Sequence, residues 1–233
     1  MQEQELQFDP KQSADILKCL RTTGCKLDDI AVMNILYLLC ALREPTGLHI
    51  LDSIFIEHAA KTERSLAYLS KAIDTSRTRN NLVLFPLFKR RHWSLLVFVS
   101  PLRCYAHFDS FEGLEHSMYA SALVRIIDAK KEYQPLALPQ ACVQQESDWE
   151  CGYFVLMSAY MMIDMKLEHL QSEDTLRYYL KRQMPSLRQH NVHRFIQKLD
   201  VIISELWKGG KKNFNTWMNK AVYLYEYEAR LFV

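Results

Sequence analysis

"RHWSLLVFVSPLRCYAHFDSF", residues 91–111, is the stretch on which the fold turns. Two runs rich in aromatic and β-branched residues, His92 to Ser100 and Arg103 to Phe111, flank a Ser100-Pro101 turn, so the spacing predicts two antiparallel strands. With a tight turn there, Val99 faces Leu102 and His92 faces Asp109. Opposed side chains share one face of such a pair with Cβ atoms roughly 4.5–5.5 Å apart. The imidazole can then give its Nδ1 proton to the carboxylate, which fixes the tautomer and turns Nε2 outward as a base. The same register places Trp93, Leu95, Val97, Cys104, Ala106 and Phe108 on the opposite, wholly apolar face. The plainer reading makes His92 and Asp109 polar strand ends. Proline at the second turn position favours a longer loop, and a slip of one residue would turn Asp109 to the wrong face.

Working outward, "NLVLFPLF" (Asn81 to Phe88) reads as a third strand. Before it the pattern is helical: Leu27 to Leu42 carries apolar residues at helical spacing, "LHILDSIFIEHAAK" reads as a helix or a loop plus helix, and "RSLAYLSKAI" continues in kind. No strand is expected before residue 80. After the hairpin come a helix from about Leu114 to Lys131 and a two-proline stretch, "EYQPLALPQACVQQ", with room for a fourth short strand. Helices are expected over Gly152 to Met165, Glu173 to Gln183, Val192 to Trp207 and Asn213 to Glu226, with breaks at Pro185 and at Gly209-Gly210. Helices, a small sheet and helices again make an α+β fold. The chain reads as one domain over residues 1–233, with 208–233 as an appended C-terminal helix.

The 233 residues suffice to bury a core without disulfides, and 49% of them are apolar. A net charge of +2 argues against nucleic acid as a partner, so "KRRH" (Lys89 to His92) and "KGGKK" (Lys208 to Lys212) read as solvated edges or contacts for an acidic protein surface. The six cysteines lack the paired spacing of zinc sites, and most read as reduced core residues. No metal and no cofactor is expected. The start, "MQEQELQFDPKQ", has no signal-like pattern, and no apolar run reaches membrane-spanning length. These features predict a monomer of the cytoplasm or nucleus, without membrane contact.

Chemistry concentrates in "QQESDWECGYFVLM", Gln144 to Met157. Cys151 falls at or just before the start of a helix, where free N–H groups and the helix dipole favour a thiolate. Gly152 leaves room beside it for an approaching carbonyl, and the Cys151 N–H points to any oxyanion formed there. Gln145 can add a second donor, with Gln144 as the competing candidate. A lone cysteine in apolar surroundings is more often structural; polar neighbours on one side and glycine after it argue against burial here. For Cys40, Cys104 and Cys142 the structural reading wins.

The order His92, Asp109, Gln145, Cys151, in the strings "HWSLLVF", "HFDSF" and "QQESDWECGYFV", resembles the Ulp1-like cysteine proteases, which process and remove ubiquitin-like modifiers. The resemblance covers about residues 26–165, and the chain's size is most like that of the single-domain deneddylases. It implies a papain-like fold with Cys151 as nucleophile, His92 as general base, Asp109 as its orienter and Gln145 as oxyanion donor. It further implies that Trp93 covers a narrow channel for the substrate's terminal Gly-Gly. Lys26, in "KLDD", stands where the family has a second channel tryptophan, so either Trp149 closes that side or the channel is more open. Asp29 could meet a modifier's basic tail, although an acid at a helix start serves the helix equally well.

The function so implied is a thiol isopeptidase cleaving after the Gly-Gly of NEDD8, SUMO or ubiquitin, for precursor processing and deconjugation. A viral or effector protease of the same clan, acting in a host cell on polyproteins or conjugates, would use the same residues. A non-catalytic binder of ubiquitin-like proteins would keep the fold without turnover.

Overall fold

The computed structural model describes residues 10–43, 48–51, 82–111, 114–128, 131–136, 145–165, 170–184 and 189–208. Along them run α1 (Pro10–Arg21), α2 (Asp29–Arg43), β1 (Leu48–Ile50), β2 (Leu82–Lys89), β3 (His92–Val99) and β4 (Cys104–Phe108). Then follow α3 (Leu114–Ile127), β5 (Gln134–Pro135), α4 (Cys151–Ile163), α5 (Glu173–Gln183) and α6 (Gln189–Lys208). The fold is α+β, with a mixed five-stranded sheet in the order β1-β2-β3-β4-β5. The outer pairs β1/β2 and β4/β5 are parallel and the inner pairs antiparallel.

Period-2 alternation gives the sheet two apolar faces. Val83, Phe85, Leu87, Leu96 and Phe98 pack under Ala120, Leu123, Val124 and Ile127 of α3. Leu84, Trp93, Leu95, Val97, Cys104, Ala106 and Phe108 face the larger cluster built on α2, α4 and α6. Helix α4 is buried at every position except Tyr160, which is half-buried. Such a helix is apolar all round because it lies between layers rather than on a surface.

The hairpin β3/β4 forms, but its register differs from the tight-turn expectation by two residues: Val99 pairs with Cys104 and Leu95 with Phe108. The cause is local. Ser100–Leu102 is a 3-10 turn around Pro101, and Arg103 closes it in the left-handed region at φ 49°. A shift of two, unlike a shift of one, preserves every side chain's face, so the apolar set stays together. His92 therefore lies diagonally from Asp109, not opposite it.

Strand β1 corrects the expectation of no strand before residue 80. Leu48, His49 and Ile50 pair with Leu82, Val83 and Leu84, and the Leu51 N–H donates to the Leu84 carbonyl at 2.9 Å. Three residues are too few to show a period of two, so the run reads as part of the apolar pattern that follows it. "RSLAYLSKAI" and Asn213 to Glu226 lie outside the described residues. The fourth short strand is β5, an edge strand that accommodates Pro135. Helix α3 stops short of Lys131 because the Asp128 carboxylate takes the N–H groups of Glu132 and Tyr133, at 3.0 and 2.8 Å. Helix α1 is not anticipated as an element. It buries Ile16, Leu17 and Leu20, and its Arg21 bonds to Asp200 of α6 at 2.8 Å.

Cys19 and Cys25 are joined in a disulfide across the turn after α1, with Cα atoms 5.4 Å apart. The reading of most cysteines as reduced applies to Cys40, Cys104 and Cys151, not to this pair; Cys142 lies outside the described residues. Five intervening positions folded back by a turn with Gly24 at φ 79° bring the two sulfurs together.

Candidate active site

His92 opens β3 directly after a two-residue turn in which Arg90 and Arg91 both take positive φ, 49° and 66°. Asp109 follows the last residue of β4. The two side chains meet across the sheet end: His92 Nε2 donates to Asp109 Oδ1 at 2.7 Å, with each side chain only 13% exposed. The bonded nitrogen is thus Nε2, not the expected Nδ1, since the diagonal placement brings the far side of the ring to the carboxylate. Nδ1 is the other ring nitrogen, and the Cys151 side chain lies near enough to His92 to bear on its charge.

These contacts decide the charge state of the ring. Burial pulls the His92 pKa down, but the bonds and charges of Asp109 and Cys151 outweigh it and raise the value to about 9. The imidazole is therefore cationic at neutral pH. Burial works against an ionised Asp109, yet the His92 bond, the Phe111 N–H at 3.0 Å and the positive field of His92 and His107 hold it below the ordinary carboxylate range. Asp109 is therefore ionised at neutral pH.

Cys151 is the first residue of α4. The preceding Glu150 makes no side-chain cap to that helix; its carboxylate turns back to accept the Ser147 N–H at 3.1 Å. The first N–H groups of α4 thus receive no cap from the Glu150 side chain at the end where the thiol sits. Cys151 itself is 4% exposed, contrary to the expectation from its polar neighbours. Burial follows from α4's position between layers.

Gly152 serves packing rather than access. A Cβ on it would lie 3.2 Å from Leu27 Cβ and 3.4 Å from Val32 Cγ2, so its bare face receives the segment leading into α2. Gln145 is fixed at both ends: its N–H donates to the Ser110 carbonyl at 2.8 Å, and its Oε1 accepts from the Ser110 hydroxyl at 2.8 Å. Its Nε2 makes no hydrogen bond among the described residues and remains a donor for another group. Gln144 lies outside the described residues.

Of the expected channel residues, Trp93 is buried and Trp149 half-buried. Trp93 is 1% exposed and stacks on Phe88, ring centroids 4.7 Å apart, because it belongs to the core face of β3. Trp149 is half-buried and sets its ring edge-on to Tyr153 at 5.7 Å and near His193 of α6 at 6.2 Å. Its loop does reach Lys26, through a 2.6 Å ion pair from Lys26 Nζ to Asp148, and the Tyr153 hydroxyl donates to the Cys25 carbonyl at 3.3 Å. Asp29 lies in the first turn of α2, where its charge suits the helix dipole. No hydrogen bond or ion pair joins it to His92, Asp109 or Cys151 among the described residues.

Two residues of the site go beyond those singled out in the sequence. Ser110 grips Gln145, and Phe111, 56% exposed, sets its ring 5.8 Å from that of His92. Both stand in the string "HFDSF"; a strand reading treats them as the fraying end of β4. Among the described residues no group of three His, Cys, Asp or Glu side chains could hold a metal ion. No helix among them is long and apolar enough to cross a membrane.

The sequence matches no protein-family model and no curated protein. Solved structures similar to the chain include a de-sumoylating protease, at 15% identity over 88% of this chain and 92% of that one, TM-score 0.47. Another is the C-terminal Ulp1 protease domain in complex with Smt3, the yeast orthologue of SUMO, at 11% identity over 82% and 100%, TM-score 0.47. A third is the catalytic domain of the Ulp1-like SUMO protease of Chaetomium thermophilum, at 15% identity over 82% and 90%, TM-score 0.46.

Proposed function

We propose that the protein is an Ulp1-like thiol protease that cleaves after the C-terminal Gly-Gly of a ubiquitin-like modifier. The observation that carries this reading is the 2.7 Å bond from His92 to Asp109 Oδ1, near the thiol at the start of α4. A cationic imidazole beside a cysteine at a helix N-terminus favours the thiolate, which is the nucleophilic form.

In the reaction, Cys151 Sγ attacks the carbonyl carbon of the modifier's last glycine. The electron pair moves to the carbonyl oxygen, which the Cys151 N–H and Gln145 Nε2 stabilise. His92 passes its Nδ1 proton to the leaving amine, the C–N bond breaks, and a thioester remains on Cys151. A water molecule then gives a proton to His92 and attacks the thioester, releasing the modifier's carboxylate and restoring the thiolate–imidazolium pair. No metal or cofactor enters this sequence. The buried Trp93 implies that threading of the Gly-Gly tail requires the ring to shift, or that Phe111 forms the exposed aromatic wall.

SUMO, NEDD8 and ubiquitin are the modifiers to compare. Their C-terminal aminocoumarin amides, assayed in parallel against wild type and Cys151→Ala, test the reading. Release of the fluorophore from at least one by wild type, abolished in Cys151→Ala, supports it; no release from any of the three contradicts it.

A further inference from the structure

We infer that Ser110 is a positioning residue that fixes which end of the Gln145 amide faces the reacting carbonyl. The inference rests on the proposed thiol-protease reading and adds to it a residue that the reading does not require.

The geometry is specific. Ser110 is 5% exposed and contacts Gln145 twice, accepting its backbone N–H at the carbonyl and donating its hydroxyl to Oε1, both at 2.8 Å. A glutamine amide presents an acceptor at one end and two donors at the other, and a turn about its last torsion exchanges them. Facing a developing oxyanion, Nε2 stabilises and Oε1 repels. The serine hydroxyl removes the ambiguity, because with Oε1 engaged the amide offers only its donor end. That end makes no hydrogen bond among the described residues.

Ser110 also links the two halves of the site. Its neighbour Asp109 holds His92 through Oδ1, and the same oxygen takes the Phe111 N–H at 3.0 Å. The backbone of residues 109–111 thus carries the groups that orient both the base and the oxyanion donor. Among the described residues the hydrogen bonds that tie the loop carrying Gln145 to that backbone run through Ser110, so losing the hydroxyl releases the amide while the main-chain bond keeps the loop in place.

The test uses the full chain and whichever of the three aminocoumarin substrates wild type hydrolyses. Removing an oxyanion donor outright, in Gln145→Ala, is expected to lower kcat about 10²–10³-fold. Ser110→Ala, which only frees the amide to turn, should lower kcat roughly 10-fold and leave KM within about twofold, the pattern of a transition-state interaction. Ser110→Ala combined with Gln145→Ala should match Gln145→Ala alone within about twofold, since the hydroxyl acts through the amide. Ser110→Thr, which keeps the hydroxyl, should retain kcat within about threefold. The alkaline limb of the pH–rate profile should stay near pH 9 in Ser110→Ala, because His92 and Asp109 are untouched; a merely structural disturbance of the loop would move it. Wild-type kcat in Ser110→Ala, additive losses in the double variant, or a shifted alkaline limb would each overturn the inference. Undiminished turnover in Gln145→Ala would overturn it while leaving the protease reading intact. Failure of wild type on all three substrates would overturn both.

Discussion

Asp109 uses one oxygen for two purposes: Oδ1 accepts the His92 ring and the Phe111 N–H, so a single charge orients the base and closes the turn after β4. The charge also has a thermodynamic sign. The His92 pKa is raised from 6.5 to about 9, so the protonated ring's contribution to folded-state stability is complete below about pH 6.5 and is lost as pH rises through about 9. Under the proposed mechanism catalysis follows the same titration, since the leaving amine would take its proton from the imidazolium. The pH profile of kcat/KM should fall on the alkaline side with an apparent pKa near 9. In Asp109→Asn the carboxylate's charge is gone while burial and the Cys151 contribution remain, so that limb should move down from about 9, with kcat reduced by two or more orders of magnitude on the scale known for such substitutions. An alkaline limb unmoved by Asp109→Asn would show that the carboxylate does not set the charge of His92.

Among the elements, the β3/β4 hairpin and α4 carry the site, and they differ in how legible they are. Alternation in "HWSLLVFV" and "CYAHF" places His92 and Asp109 on one face before any coordinates are known, and the 3-10 turn at Ser100–Leu102 alters the register by two without disturbing that face. The choice of ring nitrogen was not legible, because it depends on whether the partners sit opposite or diagonal. Helix α4 could be read from its apolar run, but the role of Gly152 could not. The close approach of Leu27 and Val32 is a tertiary contact made more than a hundred residues away in sequence. Gly152→Ala tests it. A methyl 3.2 Å from Leu27 Cβ forces either α4 or the Leu27 segment to yield. Overpacking of this kind costs about 1–3 kcal/mol, and alanine's helix propensity returns at most about 1 kcal/mol. A net destabilisation of about 1 kcal/mol is therefore expected in urea unfolding, together with lower kcat as Cys151 shifts against His92. A stabilised variant with unchanged kcat would show that the packing is loose enough to absorb the methyl.

Over the whole molecule, the sheet separates two apolar layers, and the site lies where the start of β3, the end of β4 and the N-terminus of α4 converge. Segregated helices and a small sheet were legible because each element carries its own period. What was not legible is what long-range pairing decides. Strand β1 is three residues recruited by the edge of β2, and α1 finds its partner in α6, with Arg21 bonded to Asp200. The Cys19–Cys25 bridge depends on a turn that spacing alone does not reveal. Of the candidate site, the pairing of His92 with Asp109 was readable, whereas the Ser110 grip on Gln145 appears only once the two loops are placed side by side. The central claim, that Cys151 is an activated nucleophile while the chain's other thiols are not, has a direct test. Burial pushes the Cys104 thiol up to about 12, the nearby Glu173 charge adding to the effect, so it stays protonated at working pH. Intact-mass and peptide-mapping spectrometry after incubation with SUMO, NEDD8 or ubiquitin bearing a C-terminal vinyl ester should find one modifier per chain, attached at Cys151. The adduct should form in Cys104→Ala and be absent from Cys151→Ala. No adduct with any modifier, or one that persists in Cys151→Ala, would contradict the account.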